Sequence, residues 1–137
     1  MGLRISEICI NCADPDAMAA FWGAAIGYHE TERDEEGVAI AGAAIAPTIL
    51  LIRVDDVVPG AKVGHNRLHI DLSPTGADEA GQDVEVARLE ALGARRIDIG
   101  QGTPTWVVMA DPEGNEFCVL RRPVLPEPEP FTAPDVP

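Results

Sequence analysis

A repeated order of predicted elements constrains the fold more than any other feature of this sequence. The first half predicts a strand, a helix and three further strands, and the second half predicts the same order. Each half is therefore a βαβββ module, and two such modules imply an α+β domain with its helices on one side of a mixed sheet. One module alone would bury too little surface to be stable, so we predict a single domain.

Local signals define the first module. Residues 4–12 predict a strand, after which Asp14 is an N-cap and Pro15 occupies the first helical position. The helix over residues 16–26 ends at Gly27, a residue typical of helix C-termini. Its buried face is predicted from helical spacing to contain Met18, Phe21, Trp22 and Ala25. The three strands that follow are predicted over 28–33, 38–43 and 48–54.

The second module repeats this order after a joint at residues 55–66, which contains two glycines and a proline. A strand over 68–72 and a polar stretch over 73–81 lead into a helix over 82–92, which Gly93 terminates. The apolar face of this helix is predicted to contain Val86, Leu89 and Leu92. The closing strands are predicted over 94–99, 105–110 and 115–121.

The last two strands of this module form a predicted hairpin. Asp111, Pro112 and Gly114 occupy positions at which a type I turn selects these residue types. Glu116 and Cys118 are two residues apart on the second strand, so both side chains point to one face of the sheet. Carboxylate and thiolate are both metal ligands, and this strand is therefore a candidate part of a metal site.

Charge and composition exclude several classes of function. The 137 residues include 10 basic and 23 acidic side chains, for a net charge of −13. Without a basic stripe, binding to nucleic acid or to an anionic membrane surface is not expected. The sequence shows no secretory signal and no apolar run long enough to cross a bilayer, which predicts a cytoplasmic protein.

The three cysteines are predicted to be free thiols rather than a disulfide or a metal site of their own. Cys9 and Cys12 have the spacing of a redox or zinc pair, but on a strand an offset of three places them on opposite faces. Sparse cysteines without a signal peptide indicate free thiols.

The domain is predicted to end near residue 122, and residues 123–137 are a proline-rich tail that cannot form a helix or an inner strand.

Three segments carry a resemblance to a known family. DPDAMAAFWGAAIGY lies in the first helix, NRLHIDL opens the second module and DPEGNEFCVL closes it. In this combination, residues 4–122 resemble the vicinal oxygen chelate superfamily, and within it the glyoxalase-like proteins that are grouped with bleomycin-resistance proteins. The resemblance implies a cupped sheet around a small-molecule pocket, often in a homodimer, with one divalent metal ion in the metal-dependent members.

The same resemblance assigns candidate site residues by position. It implies metal ligands at Glu7, His69 and Cys118, with Glu116 on the same face as a substitute ligand or as the group that moves a proton. This mixture of oxygen, nitrogen and sulfur is compatible with zinc and is a poor site for non-haem iron. Trp106 has two interpretations, a wall that stacks on the ligand or plain packing.

Two functions remain open at this point. One is a metal-dependent lyase or isomerase, in which a divalent ion polarises substrate oxygens and a carboxylate moves a proton. The other is a metal-free protein that sequesters a small compound, as drug-resistance members of the superfamily do. The acidic charge and the cysteine at position 118, where metal-dependent relatives usually have glutamate, favour the second function.

Overall fold

Two four-stranded mixed sheets and two helices make up the part of the chain that the computed structural model describes, which is residues 5–43, 46–55, 58, 66, 68–75, 81–121 and 123. The first module contains β1 (Glu7–Cys12), α1 (Pro15–Ile26), β2 (His29–Arg33), β3 (Gly37–Ala41) and β4 (Thr48–Arg53). The second contains β5 (Ile70–Leu72), α2 (Gly81–Leu92), β6 (Arg95–Arg96), β7 (Val107–Ala110) and β8 (Glu116–Val119).

Both sheets have the same topology, which confirms the predicted repeat and the α+β class. Their strand orders are β1-β4-β3-β2 and β5-β8-β7-β6. In each sheet the first and last strands of the module are parallel and the remaining neighbours are antiparallel. β1 and β5 therefore occupy corresponding edges of the two sheets.

The caps of α1 agree with the prediction from sequence. The Asp14 side chain accepts a hydrogen bond from the Ala17 backbone N–H at 3.1 Å, and Pro15 is the first helical residue. Gly27 ends the helix with a φ of 73°, a left-handed conformation that costs glycine little. The predicted apolar face is buried: Met18, Phe21, Trp22 and Ala25 all belong to the core.

The second module departs from the prediction in the length of its elements. Strand β6 covers only two of the six residues predicted, because Asp98 and Gln101 bind the backbone N–H groups of Gly100 and Ile99 in place of a neighbouring strand. The prediction that Leu92 is buried is wrong. It is the last residue of α2 and is 37% exposed, so the buried face of this helix consists of Val86 and Leu89.

Some predictions fall outside the described residues. These are most of the joint at 55–66 and nearly all of the tail at 123–137. Neither α1 nor α2 is long and apolar enough to cross a membrane, and the described residues contain no other helix.

The two modules are joined through α1 and the turn between β7 and β8. The Glu113 carboxylate accepts hydrogen bonds from the backbone N–H groups of Ala13 and Asp14, at 2.8 and 3.0 Å. Arg88 on α2 donates to the carbonyl oxygens of Ala24 and Ala25 at the other end of α1. Both ends of α1 are therefore held by residues of the second module.

Replacing Glu113 by alanine is expected to lower the free energy of unfolding by about 1–3 kcal/mol, because two backbone donors lose their acceptor. Urea denaturation followed by circular dichroism measures this change. Glu35→Ala is the matched control, since Glu35 is exposed in the loop before β3, and it should cost less than about 0.5 kcal/mol. Equal costs for the two variants would show that the Glu113 contacts do not join the modules.

Candidate functional site

The hairpin formed by β7 and β8 fixes which side chains leave the core. The Gly114 N–H donates to the Asp111 carbonyl oxygen at 2.9 Å, which closes the predicted turn. Along β8, Phe117 and Val119 belong to the hydrophobic core, while Glu116 and Cys118 alternate with them and point to the opposite face. The predicted hairpin and its alternation are thus confirmed.

Three side chains with metal-binding atoms meet on this face: His69, Asp71 and Cys118. One ligand atom from each lies within 4.8 Å of the other two, and His69 Nε2 is 3.2 Å from Asp71 Oδ1. Asp71 on β5 is the register partner of Cys118 on β8, which explains their proximity. The side chains of His69 and Asp71 are each 49% exposed, whereas Cys118 is buried, so the cluster has one open side.

The surroundings of Cys118 keep its thiol protonated. Burial raises the pKa of Cys118 above its ordinary value, and the charges of Asp71 and Glu116 raise it further. The thiol also forms a hydrogen bond with the Asp71 carboxylate, which favours the protonated form. A cation bound in the cluster would oppose these effects, because thiols are deprotonated when they ligate a metal.

The donor atoms of this cluster fit a divalent ion of the zinc type. Zinc accepts imidazole nitrogen, carboxylate oxygen and thiolate sulfur together, with bonds of about 2.0–2.3 Å. Neighbouring ligands of a tetrahedral ion are then roughly 3.3–3.8 Å apart. The 3.2 Å between His69 Nε2 and Asp71 Oδ1 is close to this spacing, and the three ligand atoms all lie within 4.8 Å of one another. Three protein ligands and one open side are typical of catalytic zinc sites rather than of structural ones.

A cavity of about 540 Å³ lies beside this cluster, between the edge strands of the two sheets. Its wall is apolar on the β1 side and beside β5, where Ile5, Ile8, Ile10, Leu68 and Ile70 line it. The polar lining residues are Asn11, Asn66, His69, Asn115 and Glu116. Trp22 of α1 also contributes to the lining. We call this space the inter-module cavity.

The structure brings together two of the three ligands predicted from sequence. His69 and Cys118 belong to the cluster, and Glu116 lines the cavity beside His69, where it accepts a hydrogen bond from the Asn66 N–H at 3.4 Å. Glu7 is exposed at the start of β1 and is not a member of the cluster, so its role as a ligand stays a prediction.

Trp106 and the cysteine pair have separate positions. Trp106 precedes β7, is 44% exposed and does not line the inter-module cavity, so a stacking role for it stays a prediction. Cys9 is exposed and Cys12 is buried, which confirms that they lie on opposite faces of β1. Burial, reinforced by Glu113, raises the pKa of Cys12 to about 11.

Asp71 is the residue that sequence reasoning missed. It lies two residues after His69, so strand alternation places both on one face. Parallel pairing of the first and last strands of the module then brings Asp71 opposite Cys118. Strand alternation from His69 onwards therefore indicates that Asp71 shares its face, whereas its position opposite Cys118 follows from the register of β5 and β8 in the structure.

Asp111 is a buried carboxylate at the edge of the same site. It is 0% exposed and accepts four hydrogen bonds, from the Trp22 indole, from the side chain of Asn115 and from the backbone N–H groups of Glu113 and Asn115. Burial raises the pKa of Asp111 above its ordinary value, and these hydrogen bonds oppose that rise. Trp22 and Asn115 both line the inter-module cavity, so Asp111 supports its wall.

Comparison with known protein families identifies the family to which the chain belongs. The family model described as a glyoxalase-like domain matches residues 7–120, which include all ten elements of the fold. The chain belongs to the glyoxalase-like family. No curated protein matches it significantly in sequence.

Solved structures of other glyoxalase-like proteins share the fold at low sequence identity. A glyoxalase/bleomycin resistance protein/dioxygenase family enzyme from Burkholderia phytofirmans is 20% identical, with a TM-score of 0.66 over 85% of this chain and 97% of that one. A lactoylglutathione lyase from Agrobacterium tumefaciens is also 20% identical, with a TM-score of 0.53 over 85% of this chain and 91% of that one.

A third structure of this kind was solved with a metal and a small molecule. It is a mutant of a fosfomycin resistance protein from Listeria monocytogenes in complex with Mn(II) and 1S,2S-dihydroxypropylphosphonic acid. It is 17% identical to this chain, with a TM-score of 0.62 over 88% of this chain and 91% of that one. The vicinal oxygen chelate fold expected from the sequence is thereby confirmed.

Proposed function

We propose that this protein takes a small carbonyl compound into the inter-module cavity and moves a proton on it with the help of a divalent metal ion. The observation that carries the proposal is the cluster of His69, Asp71 and Cys118, placed next to a cavity that Glu116 also lines. A relative solved with Mn(II) and a relative named as a lyase support this class of function.

Each residue has a distinct part in the proposed reaction. A divalent ion held by His69, Asp71 and Cys118 would supply a Lewis acid that polarises a substrate oxygen. Glu116, on the same strand face as Cys118, takes a proton from the carbon next to the carbonyl group and returns it to the product. The apolar lining around Ile8 and Ile70 packs against the substrate.

Proton exchange on a simple ketone tests this proposal without knowledge of the natural substrate. We expect the zinc-loaded protein in heavy water to exchange the hydrogens beside the carbonyl of hydroxyacetone faster than the same zinc in buffer. Proton NMR measures the rate. Replacing Glu116 by glutamine should lower it by about 100-fold or more, because the amide cannot accept the proton.

Glu35→Gln is the control for this experiment, because Glu35 is exposed and lies outside the cavity lining. It should exchange hydroxyacetone at the wild-type rate. Equal rates for Glu116→Gln and the wild type would contradict the proposed role of Glu116. A rate no higher than that of zinc in buffer would contradict the enzymatic function.

Zinc affinity is expected to depend on pH through Cys118. The thiol is protonated below its raised pKa, and zinc must displace that proton, so binding weakens as the pH falls. Between about pH 7 and pH 8.5 the affinity should rise about tenfold per pH unit. Competition titrations with a chelator measure the zinc affinity at each pH. Cys118→Ser should reduce the change in affinity per pH unit. An unchanged slope in that variant would show that Cys118 is not a ligand.

A metal-free binding protein is the second candidate, and the apolar wall of the cavity favours it. Ile5 and Leu68 line this wall although each is largely exposed, as expected of a surface that binds an apolar compound. Thermal-shift measurements distinguish the candidates, because a ligand raises the melting temperature in proportion to its occupancy. Stabilisation by cationic drugs but by no divalent ion would favour sequestration. A homodimer and a cytoplasmic location also remain predictions.

A further inference from the structure

The hydrogen bonds of Asp111 fix the orientation of an amide group in the cavity wall. One carboxylate oxygen accepts from the backbone N–H groups of Glu113 and Asn115, at 3.0 and 2.9 Å. The other accepts from the Trp22 indole at 3.2 Å and from Asn115 Nδ2 at 2.8 Å. Both oxygens of Asp111 thus act as acceptors, and the Asn115 amide turns its nitrogen towards Asp111.

The other arm of the same amide is its carbonyl oxygen. No described residue donates a hydrogen bond to this oxygen, and Asn115 lines the inter-module cavity. The planar amide group directs its oxygen away from Asp111 when its nitrogen points towards it. The wall at this end of the cavity therefore carries an acceptor whose orientation is set by a buried group that does not itself line the cavity.

We propose that Asp111 is a positioning residue that presents the Asn115 carbonyl oxygen to the cavity, so that the cavity selects ligands with a hydrogen-bond donor next to an apolar body. The apolar body packs on the wall formed by Ile8 and Ile70, and the donor binds Asn115 Oδ1. This inference rests on the proposed binding of a small molecule in the cavity. It adds the chemical class of the ligand and the residue that determines it.

Replacing Asp111 by asparagine should turn the hydrogen-bond acceptor in the cavity wall into a donor. The amide oxygen of the new side chain would still accept from the two backbone N–H groups, so its nitrogen would face the Asn115 side chain and the Trp22 indole N–H, which loses its acceptor. Asn115 must then rotate its amide by half a turn to offer oxygen to that nitrogen, which directs its own N–H group into the cavity. The same cavity would then favour ligands that accept hydrogen bonds.

A matched pair of uncharged probes, 4-propylphenol and 4-propylanisole, tests this inference on the full chain. The two compounds differ in that only the phenol can donate a hydrogen bond. Trp22 reports binding in the cavity by fluorescence once the exposed Trp106 is replaced by phenylalanine, since these are the two tryptophans of the chain. We expect the phenol to bind about tenfold more tightly than the ether, because the ether leaves the acceptor of Asn115 unpaired.

Three variants make the test specific. In Asp111→Asn, the two probes should bind with about equal affinity, or the ether should bind more tightly. The double variant D111N/N115D should restore the preference for the phenol, because a carboxylate at 115 again offers an oxygen to the cavity. Asn115→Ala should also remove the preference for the phenol. This variant tests the role of Asn115 even where the Asp111 variants do not fold. Near-ultraviolet circular dichroism checks the folding of each protein.

Each contrary outcome has a separate meaning. Equal affinities of the two probes for the wild type, or an unchanged ratio in Asn115→Ala, would overturn the role of Asn115. A folded Asp111→Asn variant that keeps the wild-type ratio would overturn the role of Asp111. If neither compound changes the Trp22 fluorescence or binds by calorimetry, the inferred ligand class, a donor next to an apolar body, is overturned, whereas the hydroxyacetone experiment tests the proposed function separately.

Discussion

Replacing Trp22 by alanine is expected to lower the free energy of unfolding by about 3–5 kcal/mol, which is a large part of the stability of a domain of this size. Trp22 is 2% exposed, and its ring contacts Phe21 and Phe117, with 5.2 Å between ring centroids in each case. Phe117 lies on β8 of the second module. The variant therefore leaves a cavity where the two modules share their core, and Asp111 loses one of its donors.

Trp106→Ala is the matched control for this variant, because Trp106 is an exposed tryptophan outside the core. Urea denaturation of both variants should show a cost of less than about 1 kcal/mol for Trp106. Trp22→Phe separates packing from hydrogen bonding: it keeps an aromatic ring but removes the N–H group, and it should cost about 1–3 kcal/mol. Similar costs for the two alanine variants would contradict the shared core described above.

Replacing His69 by alanine is expected to reduce the zinc affinity at least about 100-fold, because a three-ligand site loses its imidazole nitrogen. Asp71→Ala should have an effect of the same order, because the proposed site then loses its carboxylate ligand. Competition with a chromogenic chelator at a fixed pH measures these changes. Circular dichroism is expected to show that both variants fold, since the two side chains are half-exposed.

Two control variants show whether the loss of zinc affinity is specific to the cluster. His29→Ala removes an exposed histidine at the start of β2, outside the cluster, and should change the affinity less than about twofold. Glu7→Gln tests the ligand predicted from sequence, and the composition of the cluster predicts no large loss for this variant either. A 100-fold loss in Glu7→Gln would show that Glu7 completes the site. Equal affinities of His69→Ala and the wild type would place the metal elsewhere.

Local signals explain why much of the fold could be predicted from sequence. The capping of α1 by Asp14 and Gly27 depends only on residues next to the helix ends, and the turn at Asp111 depends on four consecutive residues. The repeat then supplied the topology, because both halves follow the same order of elements. A strand was predicted at β6, but its short length was not, since the side chains of Asp98 and Gln101 compete with strand pairing there.

The site depends on long-range register, which limits what the sequence reveals. His69 and Cys118 were predicted from family positions, and the structure places them together. Asp71 joins them because β5 and β8 pair in parallel with Asp71 opposite Cys118, a relation between residues 47 positions apart in the chain. The support that Asp111 gives to Trp22 likewise links residues of two modules, so no local pattern indicates it.

Titration with cobalt(II) is a direct measurement of the proposed metal site, because a thiolate bound to cobalt absorbs strongly in the near ultraviolet and so reports the Cys118 ligand itself. We predict that the wild-type protein develops this thiolate-to-cobalt band, that the band saturates at about one equivalent as expected for a single site, and that Cys118→Ser lacks it. A wild-type protein that binds less than about a tenth of an equivalent, or that binds cobalt without the thiolate band, would contradict a metal site at His69, Asp71 and Cys118.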